Sequence, residues 1–103
     1  DVRMFLAGDA ERDRIDEILT QIPDLKSDLL KVPHHGHRER NSSELFQAVD
    51  PRYAVICADR DDKSDGPDDD IIEALEEGGA QVFTTGDGVV QAVSDGTNLS
   101  VRQ

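Results

Sequence analysis

The chain has 103 residues, 23 acidic against 11 basic, and a net charge of −12. That length allows one small domain or a piece of a larger one, and the charge excludes a nucleic-acid-binding surface of the usual basic kind. A single cysteine, Cys57, excludes an internal disulfide and a cysteine-built zinc cage.

Val2 to Ala7 reads as a strand that ends in Gly8-Asp9. A helix follows, with Ile15, Ile18, Leu19 and Ile22 on one face at i, i+3, i+4 and i+7. Pro23 stops it. Asp28 to Val32 is a short apolar strand that runs into Pro33-His34-His35-Gly36-His37. Asn41 and Glu44 have the spacing of an N-cap and its capping-box partner. Leu45, Phe46 and Val49 line the helix behind them, which Asp50-Pro51 ends. Tyr53 to Ala58 is a third strand, and Cys57 within it reads as a small buried hydrophobe.

Asp59 to Asp70 is polar and acidic. Pro67 suits the first turn of a helix, and Asp68, Asp69 and Asp70 suit its positive end. Ile71, Ile72 and Leu75 are the buried side of that helix, and Gly78-Gly79 closes it. Gln81 to Thr84 is a fourth strand. Gly86-Asp87-Gly88 is a turn, and Val89 to Val93 pairs with Asn98 to Val101 as a hairpin across Asp95-Gly96-Thr97. The order β-α-β-α-β-α-β-β-β predicts an α/β fold with a largely parallel or mixed sheet. No apolar stretch approaches the roughly 20 residues of a membrane span, and no signal peptide is visible.

All three histidines fall within four consecutive positions, on a loop at a strand end, where binding and catalytic groups concentrate. Two adjacent histidines point to different sides, so one of His34 and His35 faces a given site. The other bonds backbone, contacts substrate or orients its neighbour. His37, followed by Arg38-Glu39-Arg40, reads as solvated. Asp9 is either a helix N-cap, whose removal costs about 1 kcal/mol, or a carboxylate ligand at the carboxyl-end crevice of an α/β sheet. Asp with His suits zinc, manganese or iron. The acidic loop from Asp59 is not an EF-hand, because Ser64 and Asp70 stand where Gly and Glu are required.

Phe5-Leu6-Ala7-Gly8-Asp9 followed by Lys31-Val32-Pro33-His34-His35-Gly36 resembles the C-terminal half of the metallo-β-lactamase-fold hydrolases. The likeness is greatest to the hydrolase domain of ComEC-type DNA-internalisation competence proteins. Pro51-Arg52-Tyr53-Ala54-Val55-Ile56, Gly79 to Thr85, Gly88-Val89-Val90 and Ser94-Asp95-Gly96 continue it in the same order. The resemblance implies the C-terminal half of an αββα sandwich, with a mixed sheet, three helices and a C-terminal hairpin. It implies that Asp9 bridges two divalent ions (zinc or manganese), and that one of His34 and His35, with His35 favoured, completes one metal's shell while the other, His34, orients its neighbour or contacts substrate in a catalytic role. The implied chemistry is metal-assisted hydrolysis of a phosphoester, DNA among the candidates. Two features depart from the family. Its His-x-His-x-Asp-His motif is absent and is expected upstream of Asp1, so the 103 residues alone are expected to be inactive. The run Asp65-Gly66-Pro67-Asp68-Asp69 also lacks the two histidines of the family's Gly-His-Pro-His-Pro. A non-catalytic module that retains the fold is the alternative. The expected partners are the upstream half of the same domain and, through an apolar sheet face left open, a second copy.

The acids are 16 Asp to 7 Glu, and the bases 8 Arg to 3 Lys. Abundant Asp with scarce Lys, spread along the whole chain, points to a halophilic source, an archaeon for instance. In molar salt the Debye length falls to about 3 Å and self-repulsion is screened. The plain alternative is an ordinary acidic cytosolic protein, and cytoplasmic and cell-surface locations both fit.

Overall fold

The computed structural model describes residues 2–6, 12–22, 24–33, 43–58 and 67–103. Six strands and three α-helices follow the expected order: β1 (Met4–Leu6), α1 (Arg12–Gln21), β2 (Leu29–Lys31), α2 (Ser43–Val49), β3 (Tyr53–Ile56), α3 (Asp69–Glu77), β4 (Gln81–Thr84), β5 (Gln91–Ser94) and β6 (Leu99–Arg102). A 3-10 turn at Thr85–Asp87 follows β4.

The first four strands form a parallel sheet in the order β1-β2-β3-β4. The register puts Phe5, Leu30, Ala54 and Val82 in one row across all four strands. Period-2 alternation then places that row, with Ile56, on a single face. All five belong to or pack against one apolar cluster, together with Ile15, Leu25, Leu45, Phe46, Val49, Ile71 and Leu75. The cluster draws on all three helices, so the helices share one face of the sheet. α1 packs on α2, and α2 on α3.

The opposite face is apolar but less covered. Its rows are Met4-Leu29-Tyr53-Gln81 and Leu6-Lys31-Val55-Phe83. Leu29 and Phe83 are buried, whereas Met4 is 44% and Leu6 68% exposed. The Tyr53 and Phe83 rings stand 6.4 Å apart and tilted, within the range of favourable aromatic pairs. Thus β1 presents two large apolar side chains to solvent.

The main sheet is parallel, one of the two forms expected from the sequence, and the hairpin does not join it to make it mixed. β5 and β6 pair with each other, antiparallel, in a separate two-stranded sheet. The 3-10 turn and Gly88, at φ +134°, turn the chain away after β4. The closure of the hairpin is then local. Asp95 N–H donates to the Asn98 carbonyl (3.2 Å), and the Asp95 carboxylate accepts from the Thr97 and Asn98 N–H groups at 2.9 and 2.6 Å. At the open end Arg102 reaches its cross-strand partner Gln91 through two N–H donors.

Smaller departures have local causes. Ile22 lies just past α1 and is 46% exposed, although its N–H still bonds the Ile18 carbonyl. β3 stops at Ile56 because the next inward N–H, that of Ala58, donates to the Thr85 hydroxyl at 3.1 Å instead of a ladder carbonyl. Cys57 is half-buried rather than buried. Pro67 precedes the N-cap Asp68 instead of opening the first turn, which Asp69 and Asp70 occupy. The Asp68 carbonyl receives the first helical N–H groups, from Ile71 and Ile72. Ile72 is half-buried, beside the buried Ile71 and Leu75. The capping pair predicted at Asn41 and Glu44 has its first member outside the described residues.

At the amino ends of the strands, polar groups knit the layers. Arg3 N–H donates to the Asp28 carboxylate (3.0 Å), and Asp28 N–H donates back to the Arg3 carbonyl (2.8 Å). The Asp28 carbonyl accepts from Arg52 and Tyr53, and the Arg52 carbonyl accepts from Gln81. One chain of backbone bonds therefore fixes where β1, β2, β3 and β4 begin, and so sets the common register.

Candidate functional site

In an open parallel sheet, ligands bind outside the carboxyl ends of the strands. Here that edge is built by Leu6, Lys31-Val32-Pro33, Ile56-Cys57-Ala58 and Thr84-Thr85. β1 and β2 are hydrogen-bonded neighbours, and their last residues, Leu6 and Lys31, are partners in register. The two strands therefore end side by side. Three residues after Leu6 the sequence reaches Asp9. Three and four residues after Lys31 it reaches His34 and His35. Asp9, His34, His35 and His37 lie outside the described residues, as do residues 59–66 of the acidic loop. Among the described residues, no group of three or more His, Cys, Asp or Glu side chains is placed to hold a metal ion.

What the described residues show is how firmly the exits are held. After β2, Val32 is 1% exposed and Pro33 is buried. Val32 N–H donates to the Val55 carbonyl at 2.9 Å, which extends the pairing with β3 past Lys31. The residue that immediately precedes His34 is thus anchored in the core. After β3, the Thr85 hydroxyl accepts from Ala58 N–H and ties the exits of β3 and β4 together. After β4, the Gln103 side-chain amide donates to the Thr84 and Gly88 carbonyls at 2.6 and 3.2 Å, so Gln103 braces the turn. Leu6, the last residue of β1, is largely exposed.

Thr85 and Gln103 were not singled out by sequence. A threonine behind a strand and a polar side chain at the end of the sequence carry no pattern of their own; only the fold brings them to Ala58 and Thr84.

A cleft of about 430 Å³ lies elsewhere, between the ends of α2 and α3, lined chiefly by Phe46, Asp50, Pro51, Leu75, Glu77 and Gly78. Those helix ends lead into β3 and β4, so the cleft is at the amino edge of the sheet, opposite the strand ends that precede Asp9 and His34.

Compared with known proteins, the chain matches no family model and no solved structure. Over 81 residues, 79% of its length, it is 30% identical to a curated bacterial protein from Bacillus subtilis (strain 168). That protein is ComE operon protein 3. The aligned stretch is a small part of ComE operon protein 3: the chain spans about 10% of it. Similarity over four-fifths of this chain covers most of the α/β unit described above. Among the described residues, no helix is long and apolar enough to cross a membrane.

Proposed function

We propose that the chain is part of a metal-dependent hydrolase directed at a phosphoester, nucleic acid included, and related in function to competence and DNA uptake. The observation that carries this reading is the in-register, side-by-side ending of β1 and β2. Gly8-Asp9 follows one strand end and His34-His35-Gly36 the other. The likeness to ComE operon protein 3 supports the competence-related part of it.

In this reading Asp9 and His35 hold the metal. A carboxylate oxygen and an imidazole nitrogen suit zinc or manganese. Bound divalent ions supply Lewis acidity and lower the pKa of a water to about 7. His34 contacts the substrate and steadies the charge that grows on the phosphoryl oxygens. The anchored Val32-Pro33 segment holds in place the strand end from which His34 follows, as a preorganised site requires. Asp9 and His35 alone leave a shell open, since a catalytic zinc takes three protein ligands. The remaining ligands come from further sequence of the same polypeptide, and the net charge of −12 is offset at the substrate by the metal ions and salt.

The test uses the full-length protein loaded with zinc or manganese. Stoichiometric metal by elemental analysis and phosphodiesterase turnover are expected. Asp9→Asn should lower metal affinity by more than about 100-fold, beyond the loss typical of outer-shell partners. His34→Ala should keep the metal and lose turnover. A full-length protein with neither metal nor activity sinks the proposal.

A second reading is favoured by Asp65-Gly66-Pro67-Asp68, where the resembled family carries histidines. It makes the chain a non-catalytic module with a degenerate site. Unchanged function of an Asp9→Asn, His35→Ala double variant in the host selects it. We further propose that the protein works in concentrated salt, from its Asp-rich, Lys-poor surface.

A further inference from the structure

The cleft between α2 and α3 takes no part in the proposed hydrolase site. Its floor is apolar: Phe46 and Pro51 are buried, and Leu75 is 2% exposed. Its rim carries the carboxylates of Asp50 and Glu77, and no basic residue is among the described residues that line it. Two helices end there. Neither has a basic residue in its last turn, although a helix C-terminus carries about half a negative charge and favours a cation.

Among the described residues, a cation sits at one of these ends. Lys26 Nζ donates to the Asp50 carbonyl at 2.8 Å, just past α2, and stands 3.6 Å from the Asp50 carboxylate. At α3 the terminal N–H groups of Gly78, Gly79 and Ala80 satisfy the Ala74, Glu76 and Leu75 carbonyls. Glu77 adds a carboxylate beside them. Gly78, at the lip, has φ −76°, and a Cβ there would make only ordinary contacts at 3.5 and 3.6 Å. Its backbone does not require glycine.

We infer that this cleft binds a small organic cation with an aliphatic stem, its charged head at Glu77 and the end of α3 and its stem on Phe46 and Leu75. The α2 end, where Lys26 already sits, is the chain's own example of the same recognition. A volume of about 430 Å³ lies within the usual range for small-ligand sites, which pair apolar walls with a few polar groups.

Butylguanidinium and its neutral isostere butylurea are suitable probes, titrated into the protein and followed through backbone amide shifts. Butylguanidinium should give saturable shifts at Gln47, Leu75, Glu77 and Gly78. Butylurea should bind about tenfold more weakly, the scale of a cation at a helix end beside a carboxylate. Glu77→Gln, an exposed change that leaves the core intact, should remove most of that difference. Ala74→Phe should block the cleft, with its thermal melt checked against the parent. Equal binding of the two probes overturns the inference. So do shifts that spread without saturation over the acidic surface, or a Glu77→Gln variant that binds the cation unchanged. The metal and phosphodiesterase assays are untouched by these outcomes, so the two proposals fail separately.

Discussion

At the scale of single residues, backbone conformation separates neighbours that the sequence makes look alike. Gly78 and Gly79 are adjacent at the end of α3, yet only Gly79 has a positive φ, +96°. Gly79→Ala should cost about 1–2 kcal/mol, the price of the left-handed region for an L-residue. Gly78→Ala should be neutral or stabilising by up to about 1 kcal/mol, through a less flexible unfolded chain. Urea melts of the two variants check the contrast, and equal losses would refute it. Asp95 offers a second test. The Asn98 N–H, then the Thr97 N–H, hold its carboxyl below the ordinary aspartate value of 3.8. A carboxylate whose folded pKa is depressed stabilises the fold above its unfolded pKa, and that contribution disappears as pH falls through the lower, folded value. The hairpin turn should therefore stay closed above about pH 4 and loosen only below 3.8. A carbon-detected titration of Asp95, read with the Thr97 and Asn98 amide shifts, would show it. An Asp95 that titrates at or above 3.8 would contradict the geometry.

At the scale of elements, the helix periodicity in the sequence located the buried faces well. Ile15, Leu45, Val49 and Leu75 are all at or near zero exposure. Strand bounds were harder to read because they depend on partners. Tyr53 to Ala58 is uniformly short and apolar, and nothing local says that pairing ends at Ile56. The Thr85 hydroxyl, 27 positions away in sequence, decides it. Likewise Val89 to Val93 could have lined the edge of β4, and the turn at Thr85–Asp87 sends it to β6 instead. The inner row Phe5-Leu30-Ala54-Val82 joins all four strands to the helices. Leu30 and Ala54 are its fully buried members, and Leu30 is the larger. Leu30→Ala should destabilise the fold by about 2–5 kcal/mol, through lost burial and the cavity left behind. Leu6→Ala, at an exposed position in the outer row, should stay within about 0.5 kcal/mol. A thermal or denaturant melt in which the two changes cost the same would overturn this division of faces.

At the scale of the molecule, charge and uncovered surface act against each other. A net charge of −12 on 103 residues disfavours compaction through self-repulsion. The three ion pairs among the described residues offset little of it, because all six side chains are half or more exposed and such pairs contribute about 0–1 kcal/mol each. Stability should therefore rise with potassium chloride up to about 1 M, where the Debye length is ~3 Å. A melting temperature that is flat or falls over that range would refute the high-salt proposal. The exposed Met4 and Leu6 stand on the sheet face away from the helices. Screening the charge should also promote association through that face, which sedimentation across the same salt series would register.

Sequence alone determined the order of elements, the helix faces and the chemistry of the residues at the strand ends, since these depend on local periodicity, on caps and on side-chain type. The pairing of β1 with β2 was not local information. It arises from bonds between Arg3 and Asp28, through backbone and the Asp28 carboxylate, residues 25 positions apart that only the folded chain brings together. That pairing is what makes neighbours of the strand that precedes Gly8-Asp9 and the strand that precedes His34-His35. The separation of the hairpin from the sheet, the hold of Thr85 on Ala58, and the cleft between the ends of α2 and α3 were decided by tertiary structure for the same reason. Each depends on groups distant in sequence meeting at one place, which no pattern along the chain encodes.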